Sequence, residues 1–128
     1  MLSPDADRRP VVSGRAYGKD WTFNEQSTPL TFIVDTGAGF PVLARSTADQ
    51  FVWHTKVVYG HALLTGAVSF TDDLDVSFDR NGVPTRTKHL NIAVRSDNLA
   101  DELLGMSALA QVKACLTWDP DSGKGNLT

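Results

Sequence analysis

Apolar and polar positions alternate along this chain over short distances, and glycine or proline ends almost every run. Gly14, Gly18, Pro29, Gly37, Gly39, Pro41, Gly60, Gly66, Gly82 and Pro84 divide it into short pieces, the punctuation of a β protein. "VVSGRAYG" and "KDWTFNE" read as strands with a turn near Gly18, and "PLTFIVDTG" as a strand rich in aromatic and β-branched residues. "KVVYGHALLTGAVSFTDDLDVSFD" reads as a long hairpin with its tip at Gly60 to Gly66. Asn81-Gly82 is a tight-turn signal, and "RTKHLNIAVRS" and "CLTWD" are further strands. "STADQF" opens on a capping serine or threonine and supports at most one helical turn. The one plausible helix falls at Ser107 to Val112. Many short strands and one late helix predict an all-β barrel or sandwich rather than a parallel α/β fold.

Composition narrows the class further. The chain has 128 residues, enough for one domain with its own core. The polar start "MLSPDADRRP" (1–10) is expected to be a flexible lead-in, and 11–128 the folded domain. A net charge of -3 leaves no dominant basic face, which argues against nucleic acid as a partner. The apolar runs are too short to cross a bilayer, and the first ten residues carry no apolar signal core. A soluble domain without membrane contact is expected. Cys115 is the sole cysteine, which excludes an intrachain disulfide and a multi-cysteine metal site. His54, His61 and His89 lack the paired spacing of zinc ligands. "DLDVSFDRNG" has Phe78 where a calcium loop needs glycine, and "DSGKGN" lacks the spacing of a phosphate loop. No metal or cofactor is expected.

The stretch "LTFIVDTGAGFPVL" asks for an explanation. An apolar strand runs directly into Asp35, and a carboxylate beside a core must be compensated or used. The plain reading is a strand-end aspartate that caps a turn. The context around it favours chemistry. "VDTGA" at Val34–Ala38, followed much later by "LLG" at Leu103–Gly105 and a short helix, resembles the retropepsin-like aspartic proteases. The resemblance covers Val11 to Trp118, and "LLGMSAL" is more similar to cellular bacterial members than to retroviral ones.

The resemblance implies a closed barrel with one short C-terminal helix, working as a symmetric homodimer. Peptide hydrolysis without a metal or covalent nucleophile needs a base for water and an acid for the carbonyl. Two carboxylates sharing one proton supply both. With one Asp-Thr-Gly per chain, the second Asp35 must come from a second copy. By the same resemblance, Thr36 would bond across the two-fold axis, Gly37 would let substrate backbone pass, and Ala38 would form the pocket floor. Pro41, Val42, Ile92 and Leu104 are candidate pocket walls, and Gly105 would allow a close approach beneath the loop. Ala62, Leu63 and Leu64 fall in the hairpin expected to act as a flap over an extended polypeptide substrate. The alternative is an inactive peptide-binding or dimerisation module of the same fold. Retroviral members carry an acidic residue after the first motif and an arginine after the late glycine; here Gly39 and Met106 stand in those places. The terminal strands, "PVVSG" and the region after Cys115, are expected at the dimer contact. The tail could instead fold back through a turn at Asp121 to Gly125.

Overall fold

The structure is a computed structural model that describes residues 2–18, 26–56, 68–96 and 99–128. In chain order the elements are β1 (Ser3–Pro4), β2 (Pro10–Gly18), β3 (Ser27–Val34), β4 (Val42–Leu43), α1 (Arg45–Ala48), β5 (Val68–Thr71), β6 (Leu74–Arg80) and β7 (Val83–Arg86). They continue with β8 (Ile92–Arg95), β9 (Leu103–Leu104), α2 (Met106–Gln111), β10 (Leu116–Asp119) and β11 (Lys124–Leu127). Among the described residues, short strands and two short helices make the fold mostly β, as the glycine and proline punctuation predicts.

Nine strands form one curled, half-barrel sheet in the order β5-β8-β4-β9-β3-β2-β6-β7, with β1 added on β2. No ladder joins the end strands β5 and β7 among the described residues. The expected closed barrel is therefore present as a half-barrel. β3 alternates in its first half, but Phe32, Ile33 and Val34 are all buried. The strand thus passes from the surface into the core just before Asp35. Phe32, Leu43, Leu74, Val76, Phe78, Ile92, Val94 and Leu104 form the centre of that core. The outer face of β6 buries Asp75 as well, and Arg86 compensates it at 2.9 Å while lying over the Tyr17 ring.

Two expected elements divide. The descending limb of the long hairpin breaks at Asp72 and Asp73. Its first part, β5, pairs with β8, and its second, β6, pairs with β2 and β7. The break has local causes: the Asp73 amide bonds the Thr71 hydroxyl, and the Asp73 carboxylate takes the His54 amide at 2.6 Å. Lys56 bridges to Phe70 at the hairpin base; the expected tip at Gly60 to Gly66 lies outside the described residues, as does "KDWTFNE" at 19–25. "RTKHLNIAVRS" likewise separates into the end of β7 and β8, with His89 at φ 59 between them. The Asn81-Gly82 turn joins β6 to β7 with φ of 52 and 83, the left-handed pair that a two-residue hairpin turn requires.

The two ends of the chain clasp each other. Leu2 is 3% exposed and packs in the core with Leu127, and Ser3 and Pro4 pair with Val11 and Pro10. Within the expected flexible lead-in (1–10), Leu2, Ser3 and Pro4 are thus packed or paired: Leu2 is large and apolar, and its burial contributes about 1.5–3 kcal/mol. β10 and β11 form a hairpin, so the tail does fold back. The Leu2 amide bonds Gly125, the Trp118 indole N–H bonds the Arg8 carbonyl, and the Arg8 guanidinium bonds Pro120 and Asp121 carbonyls.

Candidate active site

Strand order dictates the shape of the site. β9 runs parallel to β3, with Val34 opposite Leu104, and it also pairs with β4 on its other side through Val42 and Leu103. The loop Asp35–Pro41, which joins β3 to β4, must therefore cross over the end of β9. That end is Gly105. A β-carbon there would stand 2.3 Å from the Phe40 carbonyl oxygen and 2.9 Å from that of Ala38, so no larger residue fits without moving the backbone.

The crossing loop and α2 satisfy each other. α2 begins at Met106 with Gly105 as its cap and no capping side chain. The first amides of a helix have no partner within it. Here the Met106 amide bonds the Ala38 carbonyl at 2.7 Å, and the Ser107 amide bonds that of Gly39 at 3.1 Å. The helix thus begins one residue before the expected Ser107, because the loop supplies the acceptors. Within the loop, Asp35 Oδ1 accepts the Gly37 amide at 2.9 Å and the Asp35 carbonyl accepts the Ala38 amide at 3.2 Å, an Asx-type turn. Asp35 Oδ2 takes no hydrogen bond among the described residues. A β-carbon on Gly37 would lie 3.2 Å from Asp35 Oδ1, so glycine there leaves the carboxylate room.

The other sequence-derived candidates fall into three groups. Thr36 and Gly37 are exposed and Ala38 is half-buried beside Asp35. Val42 is half-buried, whereas Pro41, Ile92 and Leu104 are fully buried. Within the single chain those three side chains are packed into the interior. Ala62, Leu63 and Leu64 lie outside the described residues.

Two residues near the site were not anticipated. The Phe40 ring meets Phe70 edge-on at 5.1 Å, linking the loop to β5. Glu102, just before β9, is 9% exposed. Its carboxylate accepts the amide of Ala44, the residue that opens α1, at 3.1 Å; the expected serine or threonine makes no side-chain cap there. Burial pushes the Glu102 carboxyl above its ordinary range, with the hydrogen bonds from Thr47 and Ala44 opposing. The only sequence signal was an acidic residue directly before an apolar pair. Among the described residues no group of three potential metal ligands gathers, and no helix is long and apolar enough to cross a membrane. A groove of about 630 Å³ runs past Gly14, Leu30 and Phe78, and none of the residues lining it belongs to the Asp35 loop.

Solved structures with the same layout identify the architecture. EIAV protease, in complex with an inhibitor, superposes with a TM-score of 0.54 over 88% of this chain and 96% of its own, at 20% identity. A retropepsin-like aspartic protease from Rickettsia conorii gives 0.53 over 98% of this chain and 84% of its own, at 19% identity. The fold is retropepsin-like. No protein-family profile and no curated protein sequence matches the chain. Within the retropepsin-like fold, the Asp35 loop, the end of β9 and the start of α2 form one hydrogen-bonded unit.

Proposed function

We propose that this protein is an aspartic endopeptidase that acts as a symmetric homodimer on extended polypeptides. The observation that carries the reading is the Asp35 carboxylate at the end of β3. The Gly37 amide holds it in a loop braced over Gly105, with one oxygen left open. One such carboxylate per chain, in a retropepsin-like fold, calls for a second copy to complete a pair.

In the dimer, two Asp35 side chains share one proton, since like charges a few Å apart do not both ionise. The ionised partner takes a proton from water as the water attacks the scissile carbonyl. The protonated partner gives its proton to the carbonyl oxygen. Collapse of the tetrahedral intermediate returns a proton to the leaving amine. The Gly37 amide steadies Asp35, Thr36 reaches across the axis, and Ala38 and Val42 border an apolar side chain of the substrate. Because two copies form the cleft, the 630 Å³ groove of a single chain is a separate feature.

The test is cleavage of a mixed peptide library by wild type and Asp35→Asn across a dilution series and a range of pH. Cleavage should fall by orders of magnitude in the variant. Wild-type activity should fall on dilution and should follow a bell-shaped pH profile, as a coupled pair requires. Equal cleavage by both proteins would overturn the mechanism. Tight peptide binding without cleavage by either would point to a binding module.

A further inference from the structure

We infer that Glu102 is a positioning residue for Asp35: it ties the strand that enters the Asp35 loop to the segment that leaves it. The inference rests on the proposed Asp35 pair and identifies what fixes the loop that presents it.

The loop spans Asp35 to Pro41, between the end of β3 and the start of β4. Glu102 bonds both of its stems. The Glu102 carbonyl accepts the Ile33 amide at 2.8 Å on the entry side. The Glu102 carboxylate accepts the Ala44 amide at 3.1 Å on the exit side. β9 by itself offers these stems little, because it consists of Leu103 and Leu104 alone. Its pairing with β4 is the single match of Val42 with Leu103. Beyond that match, the Glu102 side chain gives the Ala44 amide the acceptor that the ladder does not.

Both partners lie inside the protomer, with Ala44 3% exposed and Glu102 9%. An amide buried without an acceptor is costly, so losing this one drives the Ala44 segment toward other partners. The residues that follow Glu102 fasten the middle of the same loop, through the Met106 and Ser107 amides to the Ala38 and Gly39 carbonyls. Glu102 completes a frame that holds the loop at its entry, its crest and its exit. Displacing a reacting group by about 1 Å can cost about a hundredfold in rate. Two carboxylates that share a proton are sensitive in this way, whereas an extended peptide is held by many contacts at once.

Steady-state cleavage of one peptide by the full chain, at protein concentrations that saturate dimer formation, tests the inference. The variants are Glu102→Gln, Glu102→Ala and Glu102→Asp, with Leu2→Ala as a control that loses stability at the chain ends. Rates are compared per folded molecule, below the melting range of every variant. Glu102→Ala should lower kcat about tenfold or more and change KM by less than about threefold. Glu102→Gln keeps an acceptor and should hold kcat near wild type, as should Leu2→Ala. Amide exchange gives a second reading. The Gly37 and Ala38 amides, bonded to Asp35 Oδ1 and the Asp35 carbonyl, should exchange faster in Glu102→Ala. If Glu102→Ala does not fold, Glu102→Asp, which withdraws the carboxylate by one carbon, is read by the same measures. Wild-type kcat in the variant read would overturn the inference, as would a Glu102→Gln as impaired as Glu102→Ala. The proposed function would survive that result if Asp35→Asn still abolished cleavage. If wild type cleaved nothing, the proposed function would fall, and unchanged exchange at Gly37 and Ala38 would overturn the role of Glu102 as well.

Discussion

Gly105 lies against Phe40 so closely that the Phe40 carbonyl oxygen would stand 2.3 Å from any β-carbon at position 105. The contact exists because β9 sits between β3 and β4, which forces the Asp35 loop over its end. Gly105→Ala must therefore lift the loop or shift β9. Overpacking of this kind costs about 1–3 kcal/mol. The variant should melt lower, and it should lose more peptide cleavage than the stability change explains, since the loop carries Asp35. A melt and a cleavage rate indistinguishable from wild type would show that the loop has slack.

Leu2→Ala tests the clasp between the chain ends. A buried leucine in a core cluster loses about 2–5 kcal/mol when cut to alanine, whereas one in a loose lead-in loses almost nothing. Chemical denaturation should show the larger loss for this residue, which is 3% exposed.

Glu102→Gln tests the buried carboxyl that accepts the Ala44 amide at the start of α1. Burial raises its pKa above the ordinary 4.5, against the hydrogen bonds from Thr47 and Ala44. The folded state then holds this proton to higher pH than the unfolded chain does. Its contribution is fully present below 4.5 and is lost as pH rises through the raised folded value. Glutamine can still accept the Ala44 amide and carries no charge. The melting temperature of the variant should therefore gain on wild type as pH rises through that window. Parallel melting curves across the window would show that Glu102 does not titrate there.

Gly82→Ala should cost about 1–2 kcal/mol, because Gly82 sits at φ 83 in the β6–β7 turn and a β-carbon is strained there. Nothing lies within 4 Å to clash with it, so the loss is conformational. Peptide cleavage per folded molecule should stay unchanged.

The local features of this protein were legible in its sequence. The Asn81-Gly82 turn, the strand into Asp35 and the short helix after Gly105 each depend on a few neighbouring residues and their backbone preferences. What the tertiary structure decided were pairings between distant segments. Placing β9 between β3 and β4 turned Pro41, Ile92 and Leu104 into core and made Gly105 indispensable. The same pairing buried Glu102 against α1, although its own neighbours mark it only as one more surface acid. Leu2 and Arg8 lie in a stretch polar enough to read as free chain, and they became structural because β11 and the β10–β11 turn reached them. A residue's burial depends on which remote strand comes to lie beside it. That is settled by competition among all possible pairings in the chain, and no window of a few residues contains it.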